Sequence, residues 1–142
     1  MRNCRSPILI LLIVPSGWSG QFPNMRFVLI DVALDPSPPN VNSCIFAEDQ
    51  LGFLMGSVAG RMTKSGWVGT ISGVEIPPVV RYGNGFQQGV YSTCPSCKVI
   101  LSYVGSFTDG ARGQDLAAYQ KSLGVDVMIS LSGFPGVRRP LS

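Results

Sequence analysis

Short, nearly continuous apolar runs punctuate this chain at residues 8–14, 27–31, 68–72, 98–104 and 125–132. Runs of that length without polar alternation are the pattern of strands buried on both faces. Amphipathic segments of helical period lie between the later runs. From residue 27 onward, successive runs begin about thirty to forty residues apart, the size of a βαβ unit with a right-handed crossover. The predicted fold is therefore α/β, built from parallel sheets with flanking helices. A length of 142 residues allows one domain or a piece of one.

The clearest helix is predicted over residues 48–63, where Leu51, Leu54, Met55, Val58, Ala59 and Met62 follow helical spacing. Glu48 and Asp49 suit its first turn, where the macrodipole favours acids, and Lys64 and Gly66 mark its end. Gly52, Gly56 and Gly60 recur every fourth residue on one face. In a membrane such a stripe drives helix pairing. Here the segment is too short to span and its flanks are charged, so the stripe is read as close approach to a neighbouring helix. Pro77-Pro78 begin a second helix with Val79, Val80, Tyr82, Phe86 and Val90 on its apolar side, although glycines at 83, 85 and 89 weaken it. Thr108-Asp109 cap a third helix over residues 110–122, with Ala111, Leu116, Ala117 and Tyr119 predicted to face inward and Gly124 ending it. The best internal boundary is Gly66 to Trp67, where the first helix has ended and a new strand begins.

Composition removes several function classes. The chain is 45% hydrophobic and 13% charged, which excludes disorder. Eleven basic residues against eight acidic ones give a net charge of +3, but the bases are scattered apart from Arg138-Arg139, so no nucleic-acid partner is expected. Histidine is absent, which rules out a Ser-His-Asp or Cys-His site built from this chain and removes the usual imidazole metal ligand.

Cys94-Pro95-Ser96-Cys97 is one CxxC pair, half a zinc site with no second half, alongside Cys4 and Cys44. A thioredoxin-like pair belongs where a strand feeds a helix, whereas this one lies between a helix and a strand. The favoured reading is a turn, with a bridge open to it in an oxidising compartment; redox or metal chemistry is the alternative. At the N-terminus, Arg2 and Arg5 precede an apolar run at 7–15 and a small-residue segment at 16–20. Two readings of it stand, a secretory signal or a buried parallel strand.

The chemistry-bearing residues collect at the carboxyl ends of the predicted strands, where open α/β sheets bind ligands. Asp31 ends one run, Ser72-Gly73-Val74-Glu75 another, Gly105-Ser106-Phe107 a third and Ser132-Gly133 a fourth. The loop Pro36-Ser37-Pro38-Pro39 is placed at the same edge. An aromatic plate, a carboxylate and bare glycine turns suit a neutral, flat, hydroxyl-bearing ligand. A nucleotide is a poor match, because no P-loop or GxGxxG is present and no lysine is placed for phosphate. For Phe107 the competing reading is a core residue covering a helix. Asp31 equally suits a loop cap, and Asp109 reads as an N-cap.

In order and spacing these motifs resemble the basic membrane protein family, bacterial lipoproteins that serve as substrate-binding proteins of ABC transporters and include the purine nucleoside receptor. The matching words are Phe22-Pro23-Asn24-Met25-Arg26-Phe27-Val28-Leu29-Ile30-Asp31, Asn40-Val41 with the segment 46–60, and Lys64-Ser65-Gly66-Trp67-Val68-Gly69 with Ile71-Ser72-Gly73. Arg81-Tyr82 through Gly85-Phe86-Gln87-Gln88-Gly89-Val90, residues 103–109 and residues 124–133 complete the set.

The resemblance implies a type I periplasmic-binding-protein-like fold, two α/β lobes closing on a ligand by a hinge. It places the later part of the first lobe at 1–65 and the early part of the second at 66–142. It makes Phe107 the second lobe's stacking aromatic, Gly133 a backbone contact near the ribose and Asp31 an acid at the cleft edge. The implied partners are a purine nucleoside (guanosine, inosine or adenosine) and an ABC permease. The location is extracytoplasmic, and no cofactor, metal or catalysis is implied.

This chain departs from the family pattern in lacking the first lobe's aromatic plate and an Asp-Asn pair, in its ending after Gly133, in the place of Cys4 relative to the apolar run, and in the Cys94/Cys97 pair. The expectation is a chain shortened at both ends and marginally stable, with strand edges and apolar helix faces exposed. A non-binding remnant and a nucleoside-processing α/β enzyme are the other readings, the second disfavoured by the absence of histidine and of a carboxylate cluster.

Overall fold

The structure is a computed structural model that describes residues 8–11 and 17–131. Two three-stranded parallel sheets carry it, and the described residues fall into two compact units that divide between Phe46 and Ala47.

The first unit contains β1 (Ile8–Leu11), the single-turn α1 (Trp18–Gln21), β2 (Arg26–Ile30) and β3 (Val41–Cys44), with sheet order β1-β2-β3. Phe27 stands opposite Val41 in the ladder, and these two with Leu29 form its buried core, against which Met25 packs. β3 is not among the apolar runs. Only Val41 of it is buried, while Asn42, Ser43 and Cys44 are exposed. The Asn40 amide sets its entry by donating to the carbonyls of Ser19, Phe22 and Met25 at 3.0, 3.2 and 3.1 Å. Of the predicted strand over 8–14, residues 12–14 lie outside the described residues.

The second unit runs α2 (Glu48–Met62), β4 (Trp67–Ser72), α3 (Pro77–Thr93), β5 (Lys98–Tyr103), α4 (Gly110–Ser122) and β6 (Val127–Leu131). Its sheet order is β5-β4-β6, with Val68 opposite both Val99 and Val127. Central β4 is buried nearly throughout. Alternate strand residues face opposite sides. Val68 joins Ala59, Phe86, Val90 and Cys97 in the core under α2 and α3, while Gly69 lies under Gln120 of α4.

The predicted close approach of α2 is present and is reciprocal. A Cβ at Gly52 or Gly56 would collide with the carbonyl oxygens of Tyr82 and Phe86, and one at Gly85 or Gly89 with those of Asp49 and Phe53. The glycines that weaken α3 as an isolated helix are thus the positions where two backbones touch, and α3 runs uninterrupted for 17 residues. α2 belongs with the second unit, so the structural division falls earlier in the chain than Gly66–Trp67.

The inward face of α4 differs from the predicted one. Ala111 and Tyr119 are exposed, Leu116 and Ala117 are half-buried, and the buried residues are Gly113 and Gln120. Gln120 is fully buried because its amide donates to the Thr70 carbonyl at 3.0 Å and to Ser102 Oγ at 2.8 Å. Cys94 and Cys97 form a disulfide across the turn between α3 and β5, and among the described residues Cys44 is a free thiol.

Candidate functional site

The site is built on the turns that leave β4 and β5. Beyond the last strand residues, the amide of Val104 donates to Ser72 O and that of Gly105 to Gly73 O, both at 2.8 Å. The ladder therefore continues into the turns and fixes them side by side. Gly105 then takes φ +81°, a left-handed turn that glycine adopts without strain, and the chain reverses toward α4.

That reversal brings Phe107 back over Gly73. A Cβ there would meet the aromatic ring, whose Cγ would lie 3.2 Å away. The ring thus rests on bare backbone, and 43% of the residue remains open to solvent. Ser106 Oγ accepts from the amides of Thr108 and Asp109 at 3.1 and 3.3 Å, and Asp109 Oδ1 accepts from the Arg112 amide at 3.0 Å. Asp109 is the N-cap of α4, as its position predicts. Ser106, Thr108 and the Phe107 ring so form one short, internally bonded turn at the sheet's carboxyl edge.

Two further groups stand near this edge. Tyr103, the last residue of β5, is half-buried, and burial followed by the charge of Glu75 pushes its hydroxyl above the ordinary tyrosine value. Glu75 is exposed in the turn after β4. Among the described residues no group of three or more His, Cys, Asp or Glu is clustered to hold a metal ion. The edge supplies an aromatic surface, glycine backbone and hydroxyls, which together stack and hydrogen-bond. A shallow groove of about 570 Å³ lies elsewhere, along α2 and α3, and contains none of these residues. The Phe107 surface is an open face rather than a pocket.

Asp31 lies in the first unit, directly after β2. It is half-buried with φ +64°, and its amide donates to Cys44 O at 2.9 Å. Aspartate is among the few residues that enter this region readily. Gly133 and Ser132 lie outside the described residues. The contribution of Gly73 as the seat of Phe107 was not part of the sequence reading, although a glycine and an aromatic at the ends of adjacent strands are a signal for it. No described helix is long and apolar enough to cross a membrane.

The model of a family described as ABC transporter substrate-binding protein PnrA-like (Bmp) matches residues 14–137. The ABC transporter nucleoside-binding protein BmpA of Lactococcus lactis subsp. cremoris is 32% identical over 114 residues, covering 80% of this chain and 32% of that protein. Basic membrane protein A of Borreliella burgdorferi is 29% identical over 119 residues, covering 82% of this chain and 35% of that protein. Among solved structures, a solute-binding protein of an ABC transporter system from Aeropyrum pernix K1 superposes with a TM-score of 0.77 at 24% identity, a likeness of fold, over 90% of this chain and 39% of that one. One from Conexibacter woesei gives 0.61 at 27% identity, over 80% of this chain and 39% of that one. The chain spans about a third of the length of the curated relatives it matches.

Proposed function

The chain belongs to the Bmp family of PnrA-like ABC transporter substrate-binding proteins, and from that premise we propose that it contributes the second-lobe face of a nucleoside site, without catalysis. The observation that carries this reading is the Phe107 ring, seated on Gly73 at the carboxyl edge of β4 and β5 with its other side open. A ring held this way stacks on a flat heterocycle. Glycine turns and the Ser106–Thr108 hydroxyls offer hydrogen bonds beside it. The nucleoside class is supported by the printed name of the Lactococcus relative.

In this reading Asp31 accepts hydrogen bonds from the sugar on the first-lobe side and Gly133 supplies a backbone contact near the ribose. The unit up to Phe46 derives from the first lobe and the unit from Ala47 onward from the second. The partner is an ABC permease and the location extracytoplasmic, for which the Cys94–Cys97 disulfide is a supporting observation, since such bonds persist in oxidising compartments.

Calorimetric titration with guanosine, inosine and adenosine tests the proposal, using this chain and a version extended at both ends to the length of its relatives. At least one nucleoside is expected to bind the extended chain. Phe107→Ala is expected to weaken that binding by about 1–3 kcal/mol. No heat with any of the three sinks the nucleoside reading. Unchanged affinity in Phe107→Ala removes the ring from the site.

A further inference from the structure

The two sulfurs of the Cys94–Cys97 bridge have unequal surroundings. Cys97 is 5% exposed and belongs to the apolar core with Ala59, Val68, Phe86 and Val90. Cys94 is half-buried, and Pro95 and Ser96 beside it are exposed. Access decides which sulfur of a disulfide is attacked, and a thiolate arriving from solvent meets Cys94 first. The turn, moreover, does not depend on the bridge for its path. The amide of Cys94 donates to Val90 O at 2.8 Å, that of Cys97 to Cys94 O at 3.1 Å and that of Lys98 to Gly66 O at 2.8 Å. Opening the S–S bond leaves these three bonds in place, with the two Cα atoms 5.3 Å apart, inside the span of a disulfide.

Position in the fold sets the direction of the chemistry. Cys94 is the C-cap of α3, at the negative end of the helix dipole, and Cys97 sits among apolar side chains. Both settings disfavour a thiolate, so the reduced pair is a poor attacking dithiol and the oxidised pair is the form that reacts. Expelling Cys97 puts a thiolate in apolar surroundings, and the preformed turn keeps it beside Cys94, so re-closure is favoured over opening. We propose that the Cys94–Cys97 bridge is a one-sided exchange site for low-molecular-weight thiols, with Cys94 the attacked sulfur and Cys97 the resolving thiol. The incoming thiolate forms an S–S bond to Cys94 as the bond to Cys97 breaks. The electron pair of that bond leaves on Cys97, which takes a proton from water. In the reverse step Cys97 returns the proton to water, its sulfur attacks Cys94, and the small thiolate departs with the electron pair. The cycle consumes no outside oxidant or reductant.

The test uses glutathione as the thiol and the full chain in a Cys4→Ser, Cys44→Ser background. Exposure to excess reduced glutathione, an acid quench and peptide mapping by mass spectrometry should find a mixed disulfide on Cys94, as a minor species because Cys97 re-closes the bridge. Cys97→Ser removes the resolving thiol, and oxidised glutathione should then load Cys94 completely. In Cys94→Ser the buried Cys97 should load at least about tenfold more slowly. Far-ultraviolet circular dichroism should be the same with the bridge closed and open, since the turn is held by its backbone. The position of the adduct in the parent decides the matter even where a single-cysteine variant fails to fold. A parent adduct on Cys97, no parent adduct in excess glutathione, equal loading of the two variants when both are folded, or loss of helical signal on opening each overturns the proposal.

Discussion

A methyl group at position 73 would occupy the space in which the Phe107 ring rests, and the ring, not the backbone, is what it would meet. A ring can swing aside where a carbonyl cannot. Gly73→Ala is therefore expected to leave the denaturation midpoint close to that of the parent, within about 0.5 kcal/mol, and to weaken nucleoside binding in the extended chain by about 1 kcal/mol or more. Parallel denaturation and calorimetry separate the two effects.

Asp126 is a second single-residue lever, at the opposite end of the sheet. Its carboxylate accepts from Thr63 Oγ1 at 2.6 Å and from the amides of Lys64 and Ser65 at 2.7 and 3.0 Å. These bonds, the Thr63 hydroxyl first, hold its pKa well below the ordinary value of 3.8. A pKa lowered by folding gives stability that is present above the ordinary value and lost as pH falls through the folded one. Urea midpoints measured from pH 5 downward should fall less steeply in Asp126→Asn than in the parent. Sequence reading found the Asp109 cap because cap and partner are three residues apart. It missed Asp126, whose partners lie more than sixty positions away and meet it only once β4 and β6 pair.

Between α2 and α3, propensity and packing pull in opposite directions. Alanine is favoured over glycine in a free helix by about 1 kcal/mol. At Gly56 the added carbon would strike the Phe86 carbonyl, and the helices would have to separate. Gly56→Ala is expected to destabilise the chain by about 1–3 kcal/mol, against its propensity, measured as a lowered urea midpoint at unchanged slope. The stripe of glycines, the parallel strands and the ends of α4 were all legible, because period and punctuation carry them. β3 was not, since Val41-Asn42-Ser43-Cys44 has too little apolar surface to register as a strand and is held by its ladder to β2. The inward face of α4 was misjudged for a related reason. A pattern that counts carbon sends Gln120 outward, while two hydrogen bonds to the sheet draw it in and leave Tyr119 59% exposed.

The two units have cores of different size. Phe27, Leu29 and Val41 make up the first, while the second gathers Ala59, Val68, Phe86, Val90 and Cys97 with further partly buried neighbours. Opening costs less where fewer apolar contacts are lost. Hydrogen exchange should release the β2 amides before those of β4, and equal protection would mean that the units unfold as one. The second unit also holds the Cys94–Cys97 bridge, which closes a loop of sequence separation 3. So short a loop gains only about 2 kcal/mol from cross-linking in the chain-entropy account.

The two hydrogen bonds that carry the β4–β5 ladder past its strands also decide when the Phe107 turn becomes ordered. The backbone on both sides of the ring is immobilised as the sheet forms, so the conformational entropy is surrendered during folding and not at encounter. Variants that break this register, and not only those that alter the ring, should therefore lose affinity through a dearer ordering step. Their signature would be a less favourable binding entropy, with the contact enthalpy largely retained.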